Sequence, residues 1–394
     1  MMNKGPSRRE FLAGSLALAA AQKVKASMGG PLDHVPASSV ASAGELRYGT
    51  LGNSGLRPTR LIFGTATLSD PDVVGQAIDM GINHFDTSRD YQHGNNERLV
   101  GVALKGKRDK VILSSKGIDI SPPWRPPGTR ESVKDALEQL DTSLKELQTD
   151  YLDIWYLHHK DEPEQIDEGH LEAARTAKQQ GKIRFTGVST HRVTAIADRT
   201  IACKQIDVVM ATYNFTMENE VGAAIERVRK TGIGVVAFKA GAGGPRSNTP
   251  PMTRPGAMVA AYRWALKDPF VDAVEANIEN TDQLQENFPV MATPFTAEDE
   301  KVLSARLEEI GPVQCRMCGQ CQGTCQKGLP VEHILRCVMY ADGYGQFAMG
   351  REQFLRVPES LRQNGCSDCS TCTVNCRFGL QIVRQVTRAQ ELFA

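Results

Sequence analysis

Phe85-Asp86-Thr87-Ser88-Arg89-Asp90-Tyr91 is the stretch that decides the fold, because a short apolar run beginning at Ile82 ends there in a row of polar side chains. Seven similar runs alternate with amphipathic stretches, a pattern typical of strands separated by helices. The eight candidate strands are residues 61–63, 82–85, 111–115, 152–157, 184–188, 208–212, 234–238 and 271–274. Eight such strands predict an α/β fold, with a parallel sheet closed into a (β/α)8 TIM barrel.

A hairpin is predicted before the first strand. Residues 46–56 contain a turn at Gly52-Asn53-Ser54-Gly55, and we expect them to plug the bottom of the barrel. In barrels of this kind the chemistry lies at the carboxyl ends of the strands. Polar side chains after the second, third and fourth strands are therefore the candidates for an active site.

Four polar residues follow those strands in order. They are Asp86, Tyr91, Lys116 and His158. Together with Gly94-Asn95-Asn96-Glu97-Arg98-Leu99-Val100-Gly101, they resemble the aldo-keto reductases, and the likeness covers residues 46–295. The resemblance implies that the four residues are catalytic and that the reaction interconverts a carbonyl and an alcohol.

The four residue types suit this reaction. A carbonyl that accepts hydride must also receive a proton, and Tyr91 is the candidate donor. We expect the ammonium of Lys116 to lower the pKa of Tyr91 from its usual value of about 10, and Asp86 to hold Lys116 in place. His158 would orient the substrate oxygen and donate a hydrogen bond as negative charge develops.

The same resemblance implies NAD(H) or NADP(H) as a cofactor. The matching positions are Ser189, Thr190, Phe238, Gly241, Asn277, Gln283, Glu286 and Asn287. Thr190 stands where asparagine is common, and Met210 stands where the next strand usually offers glutamine. Asn277 and Gln283 stand where NADP-preferring relatives often have Lys and Arg, so a 2'-phosphate would lack charge-assisted hydrogen bonds.

Two loops near the predicted mouth of the barrel have more than one interpretation. Trp124, in a proline-rich loop after the third strand, is either a stiff lid over the site or a packed surface side chain. Glycines at 241, 243 and 244 follow the seventh strand, where backbone amides can cradle a phosphate. A glycine run by itself is a weak signal.

Eight of the ten cysteines form two copies of the spacing Cys-x2-Cys-x2-Cys-x3-Cys, which is typical of paired 4Fe-4S clusters. They are Cys315, Cys318, Cys321, Cys325, Cys366, Cys369, Cys372 and Cys376. We expect Cys376 to complete the first cluster and Cys325 the second, as in two-cluster ferredoxins. Zinc prefers two separated Cys-x2-Cys pairs, and neighbouring thiols form strained disulfides, so both alternatives are less favoured.

The residues between the two motifs predict helices at 334–340 and 347–355. The C-terminal segment therefore resembles an α-helical ferredoxin module. Exported aldo-keto reductase-like proteins with such a tail form a recognisable group, and the chain resembles them over most of its length.

The N-terminus resembles a twin-arginine export signal. Ser7-Arg8-Arg9-Glu10-Phe11-Leu12 precedes a short apolar stretch, and Val24-Lys25-Ala26 has small residues where a signal peptidase needs them. We expect a signal peptide at 1–26, a linker at 27–44, the barrel at 45–300 and the two-cluster domain at 301–394. Export of the folded protein by the twin-arginine translocase would place it in the periplasm or otherwise outside the cytoplasm.

The composition indicates a soluble protein with small-molecule chemistry. The 46 basic residues balance the 46 acidic ones, so nothing favours a nucleic acid as a partner. The expected partners are a carbonyl or alcohol substrate and a redox protein or quinone-linked carrier. Three functions stay open: an oxidoreductase coupled to the clusters, an NAD(P)H-dependent carbonyl reductase with structural clusters, and a non-catalytic electron-transfer protein.

Overall fold

The computed structural model describes residues 46–117, 133–243, 256–311, 314–319, 321, 325–366, 369 and 371–393. The predicted export signal, the linker, Trp124 and Gly244 lie outside these residues. Residues Ala43–Ala394 belong to one compact unit, which contains both the predicted barrel and the cysteine-rich segment.

Eight parallel strands close into a barrel in the order in which they occur along the chain. The strands are β1 (Leu61–Gly64), β2 (His84–Asp86), β3 (Ile112–Lys116), β4 (Leu152–Leu157), β5 (Ile183–Thr190), β6 (Val208–Thr212), β7 (Gly234–Phe238) and β8 (Ala273–Asn277). Leu61 of β1 lies opposite Val274 of β8, which closes the sheet. All eight predicted strands are present, and β2 and β8 begin two residues later than predicted.

Helices alternate with the strands and cover the outside of the barrel. They are α1 (Asp72–Asp79), α2 (Asn95–Ala103), α3 (Val133–Glu146), α4 (Glu168–Gln179), α5 (Val193–Cys203), α6 (Asn219–Lys230), α7 (Ala257–Leu266), α8 (Thr281–Asn287) and α9 (Ala297–Ile310). Because the helices bury the outer face, the strands are buried on both sides and read as continuous apolar runs. The start of α9 is set by a capping box, in which Thr296 and Asp299 bond each other's backbone amides.

The segment before β1 plugs the barrel from below, as predicted. The Leu51 amide donates to the Leu56 carbonyl over 3.0 Å, and Tyr48 bridges Thr59 in antiparallel fashion. Leu51 and Leu56 are buried in the barrel interior with Ile62 and Ile154. The Asn53 amide bonds the Gly232 carbonyl, just before β7 begins, so the hairpin enters at the amino ends of the strands. The carboxyl ends of the strands, at the other end of the barrel, therefore stay available for the site.

The C-terminal residues form a mainly helical domain, also as predicted. It contains α10 (Val331–Val338), α11 (Phe347–Leu355), α12 (Glu359–Arg362) and α13 (Ile382–Phe393). A π-helical turn, Met339–Gly343, follows α10 directly, and such turns are frequent at functional sites. Ile334, Phe354 and Phe393 pack in the core of this domain. Within the described ranges no helix is both long and apolar enough to cross a bilayer.

Candidate active site at the barrel mouth

Asp86 and Lys116 form a buried ion pair between the ends of β2 and β3. Lys116 Nζ hydrogen-bonds Asp86 Oδ2, and it also donates to the Thr87 carbonyl over 2.8 Å. The other oxygen of Asp86 accepts from Ser114 Oγ over 2.6 Å. Adjacent parallel strands bring their carboxyl ends side by side, so residues 30 apart in the sequence meet here. The predicted contact between Asp86 and Lys116 is present.

Tyr91 begins a 3-10 turn, Tyr91–Gly94, after β2. Its ring centroid lies 4.9 Å from Lys116 Nζ and 6.3 Å from the ring of His158, in an edge-on arrangement. The predicted lowering of its pKa is wrong: burial raises the pKa of Tyr91 well above the usual value, and the charges of Glu275 and Asp86 add to the effect. Tyr91 is therefore a neutral phenol at neutral pH, which is the form that donates a proton.

His158 ends β4 and is buried against the loop after β2. Its Nδ1 atom lies 3.2 Å from the Gly117 carbonyl and 3.5 Å from Asp90 Oδ2. Arg356, in the C-terminal domain, donates to Asp90 Oδ1 over 3.1 Å. Burial by itself would raise the pKa of Asp90, but His158 and Arg356 outweigh burial and leave the pKa lowered. The orientation of His158 thus depends on a carboxylate that the C-terminal domain holds.

Glu275 is a further carboxyl of the site that the sequence analysis missed. It lies in β8, where its side chain fills the space over Gly64 of β1. Burial and the charge of Asp86, opposed by Lys116 and Lys239, raise the pKa of Glu275 to about 7. The sequence contained this information. Glu275 lies two residues after Ala273 in β8, so both side chains point to the same face of the strand, which is the barrel interior.

The residues matched to carboxamide binding lie at the end of β5 and are already bonded within the chain. Ser189 Oγ accepts from the His159 amide over 3.0 Å. Thr190 Oγ1 donates to Asp161 Oδ1 over 3.1 Å and accepts from the Arg192 amide over 2.9 Å. Both side chains are buried.

Asp161 links the end of the barrel to the C-terminal domain. Its carboxylate bonds His191 Nδ1 over 3.0 Å and Arg336 Nη1 over 3.2 Å. Burial opposes the charge of Asp161, but His191 and Arg336 hold its pKa well below the usual value. Burial lowers the pKa of His191 to about 4, so His191 is neutral and the ion pair joins Asp161 to Arg336.

The ring of Phe238, which was predicted to stack on the nicotinamide, contacts other side chains of the protein. Its ring centroid is 5.7 Å from that of His191. Lys239 Nζ lies 5.0 Å from the Phe238 ring, 4.7 Å from the Tyr340 ring and 5.7 Å from the Tyr344 ring, all within cation–π distance. Tyr340 belongs to the π-helical turn of the C-terminal domain.

Other side chains of the protein contact the described part of the predicted phosphate cradle, residues 241–243. Any side chain at Gly241 would collide with the thioether of Met258, which covers that glycine. The Gly243 carbonyl accepts from Arg306 Nη2 over 2.7 Å, and the side-chain amide of Gln314 lies against Gly243.

The segment matched to adenosine binding makes fewer contacts with the rest of the protein than the positions matched to the carboxamide and the phosphate. Gln283 Oε1 accepts from the Glu279 amide over 2.9 Å, so this side chain caps its own loop. Asn277 and Glu286 are exposed. Asn287 is buried, and its Oδ1 atom has no hydrogen-bond partner among the residues that the structure describes. Of the four positions, Asn287 alone offers a buried polar atom that a ligand could satisfy.

The eight motif cysteines lie in two groups in the C-terminal domain, and none of the ten cysteines, all of which are described, forms a disulfide. Burial raises the pKa of Cys321 to about 11, and the charges of Cys318 and Cys376 add to the shift. Burial likewise raises the pKa of Cys366, with added effects of Cys372, Cys325 and Cys369. Cys376 is thus a neighbour of the first motif, and Cys325 is a neighbour of the second.

This crossed arrangement agrees with the expected ligand sets, and the cluster assignment itself stays a prediction. Across the described ranges, no three His, Cys, Asp or Glu side chains are gathered as ligands of one metal ion.

Comparison with known proteins agrees with the barrel. The model of the aldo/keto reductase family matches residues 60–254. Oxidoreductase YrpG of Bacillus subtilis is 33% identical over 225 residues, which cover 50% of this chain and 68% of that protein. L-glyceraldehyde 3-phosphate reductase of Escherichia coli is 34% identical over 163 residues, 38% of this chain and 46% of the enzyme.

The match to Bacillus subtilis aldo-keto reductase YhdN is 30% identical and covers 43% of this chain and 54% of the relative. The chain thus spans about half the length of several curated relatives that it matches. The structure of aldo-keto reductase AKR11C1 from Bacillus halodurans, in its holo form, aligns with a TM-score of 0.56 and 27% identity. That alignment covers 66% of this chain and 96% of the other. On the closed eight-stranded barrel, the converging Asp86, Tyr91, Lys116 and His158 and these matches, the chain belongs to the aldo/keto reductase family.

Proposed function

We propose that the protein is an exported oxidoreductase that interconverts a carbonyl and an alcohol at the barrel mouth and exchanges the electrons through two 4Fe-4S clusters. The observation that carries the proposal is the convergence of Tyr91, Lys116 and His158 from three consecutive strand ends. Such convergence supplies a proton donor, a cation and a hydrogen-bond donor around one substrate oxygen.

The proton steps follow from the side chains. Reduction of a carbonyl by the clusters takes up two electrons and two protons: Tyr91 gives one proton to the substrate oxygen, and the other comes from solvent to the substrate carbon. In the reverse direction Tyr91 takes the proton of the hydroxyl, and the proton from carbon returns to solvent with the two electrons passing to the clusters. Lys116, held by Asp86, favours the phenolate that is left on Tyr91. His158, oriented by Asp90, donates a hydrogen bond to the same oxygen.

The eight cysteines fit the clusters. The first would be held by Cys315, Cys318, Cys321 and Cys376, and the second by Cys366, Cys369, Cys372 and Cys325. When bound, such clusters accept or supply electrons one at a time, so two of them match the two electrons of an alcohol–carbonyl couple. Thiols with raised pKa values bind metal only once they are deprotonated, so loading is coupled to loss of protons.

A redox partner protein would approach the first cysteine motif through a surface cleft. A cleft of about 700 Å³ extends to Cys315 and is lined by Arg384 and Arg388 of α13. Asp342 and Glu391 share this lining with the two arginines, and Arg388 pairs with Asp342, so the charge of the cleft selects neither an acidic nor a basic partner. If the signal peptide, residues 1–26, directs export, this partner lies outside the cytoplasm.

An NAD(P)H-dependent carbonyl reductase with structural clusters is the alternative function. The unpartnered buried amide oxygen of Asn287 favours it, since a nucleotide base could donate to this atom. A non-catalytic electron-transfer protein is the third function, and the intact set of four site residues argues against it.

The test uses anaerobically purified protein with its clusters. Iron and acid-labile sulfide are measured together with an EPR spectrum, and a panel of aldehydes and sugar alcohols is assayed with reduced methyl viologen or with ferricyanide. We expect about eight iron atoms per chain and viologen-dependent turnover that stops when the iron is removed. Turnover that requires only NAD(P)H and continues without redox-active clusters would support the alternative, and zinc in place of iron would overturn the proposal.

A further inference from the structure

One side of the barrel mouth is covered by the C-terminal domain. The rings of Tyr340 and Tyr344 share the ammonium of Lys239 with Phe238 of β7. Tyr340 is only 4% exposed. It also lies near Tyr91, because repulsion between the two phenolates is among the smaller causes of the raised pKa of Tyr91. The aromatic face on which a nicotinamide would stack is therefore already in contact with groups of this chain.

Polar groups that could hold a carboxamide are engaged on the same side. Thr190 and Ser189 bond Asp161 and the His159 amide. Asp161 is fixed in turn by Arg336 of α10, a residue 175 positions further along the chain. A carboxamide bound to Thr190 Oγ1 would have to displace Asp161, the carboxylate that pairs with Arg336 of the C-terminal domain.

The pyrophosphate position is also blocked. Met258 covers Gly241, and the carbonyl of Gly243 is bonded to Arg306. Gln314, the residue before the first motif cysteine, lies between Gly243 and Gly343 of the π-helical turn. The thioether of Met258 and the side-chain amide of Gln314 therefore occupy space beside the glycines where a phosphate was expected.

We infer that the C-terminal domain occupies the nicotinamide face of the barrel, so that the folded chain excludes NAD(H) and NADP(H). Tyr340 and Tyr344 are the residues that close this face, and the ion pair of Arg336 with Asp161 holds the closing domain in place. The inference rests on the proposed function only for the position of the site. It concerns binding, so its test does not depend on turnover.

The experiment is equilibrium dialysis of the cluster-loaded, full-length protein against NADH and NADPH. The double variant Tyr340→Ala/Tyr344→Ala removes both rings, and Tyr340→Phe/Tyr344→Phe is the matched control that keeps them. We expect no saturable binding below about 1 mM for the wild type and the phenylalanine pair. The alanine pair is expected to bind at least about tenfold more tightly, which corresponds to about 1.4 kcal/mol.

Iron content and the circular dichroism spectrum show whether each variant is folded. If the alanine pair loses its iron, Tyr344→Ala alone takes its place with the same expectation. Saturable binding by the wild type would overturn the inference, and so would failure of every folded alanine variant to gain binding. Gain of binding in an alanine variant alone supports it, whether or not the protein turns over any substrate in the panel.

Discussion

The two sides of the barrel mouth differ in what their residues contact. On the side of β2 to β4, Asp86, Lys116, Tyr91 and His158 turn toward a common point and form the pattern of the family. On the side of β5 to β8, Thr190 bonds Asp161, which pairs with Arg336 of the C-terminal domain, and Lys239 beside Phe238 contacts Tyr340. The residues proposed to handle protons converge on one side, and the face inferred to be closed to a nicotinamide lies on the other.

Under the proposed function, the helical domain would take over the part of the chemistry that a nicotinamide supplies in a reductase. A proton donor and a polarising cation are needed whatever the source of electrons. A nicotinamide site is needed only if the electrons come from a nicotinamide. A domain with two cysteine motifs packed over that site is the arrangement expected if the clusters take over that role.

Tyr91→Phe tests the side of β2 to β4 and should give the largest effect. Loss of the phenol removes the proton donor, so we expect kcat to fall by about 10²- to 10⁴-fold with little change in stability. The measurement is viologen-coupled turnover, and Tyr48→Phe, at a largely exposed position, is the control. Near-normal turnover of Tyr91→Phe would remove this residue from the mechanism.

Cys376→Ser tests the crossed ligand sets of the C-terminal domain. Because Cys376 neighbours Cys318 and Cys321, its loss should release the first cluster and lower the iron content from about eight atoms to about four. Iron analysis and EPR check this result. Cys203→Ser, on α5 of the barrel, should keep all of the iron. Loss of the second cluster in place of the first would show that the sets are not crossed.

Arg356→Met tests whether the C-terminal domain acts on the catalytic side as well. Arg356 helps to lower the pKa of Asp90, so its removal should raise that pKa, and Asp90 should lose its charge beside His158 at a higher pH than in the wild type. We expect the acid limb of the kcat/KM profile to move up by about one pH unit. Arg351→Met, an exposed arginine of the same helix, should leave the profile unchanged. If the acid limb of Arg356→Met does not move, the C-terminal domain does not affect the residues on the side of β2 to β4.

Acid titration of stability gives the smallest effect and compares a histidine on each side. Burial lowers the pKa values of His84 and His191 to about 4. Between about pH 6.5 and 4 the unfolded chain binds protons that the folded chain does not, so stability falls as the pH falls. Each histidine contributes up to about 1.4 kcal/mol per pH unit to this slope.

Urea unfolding of His84→Gln at several pH values checks this sign. Relative to the wild type, the variant should lose less of its free energy of unfolding on going from pH 6.5 to pH 5. An equal loss in both proteins would mean that His84 is protonated in the folded state.

Much of the fold could be predicted because its signals are local. The apolar runs, the turn at residues 52–55 and the helical stretches of the C-terminal domain each lie within a short window of sequence. Asp86, Lys116 and His158 could be placed because strand ends of a parallel barrel meet at one rim. Glu275 was missed, although its position two residues after Ala273 in β8 places both side chains on the same face of the strand.

The sequence by itself determined the barrel, the family and which residues are proposed to move protons, because residue type and strand period are sufficient for those. The tertiary structure alone decided what surrounds them. The raised pKa of Tyr91 arises from burial beside Glu275 and Tyr340, and the closure of the nicotinamide side arises from Tyr340, Arg336 and Gln314. These contacts join residues more than 70 positions apart, and no local pattern specifies which distant side chain will fill a given space.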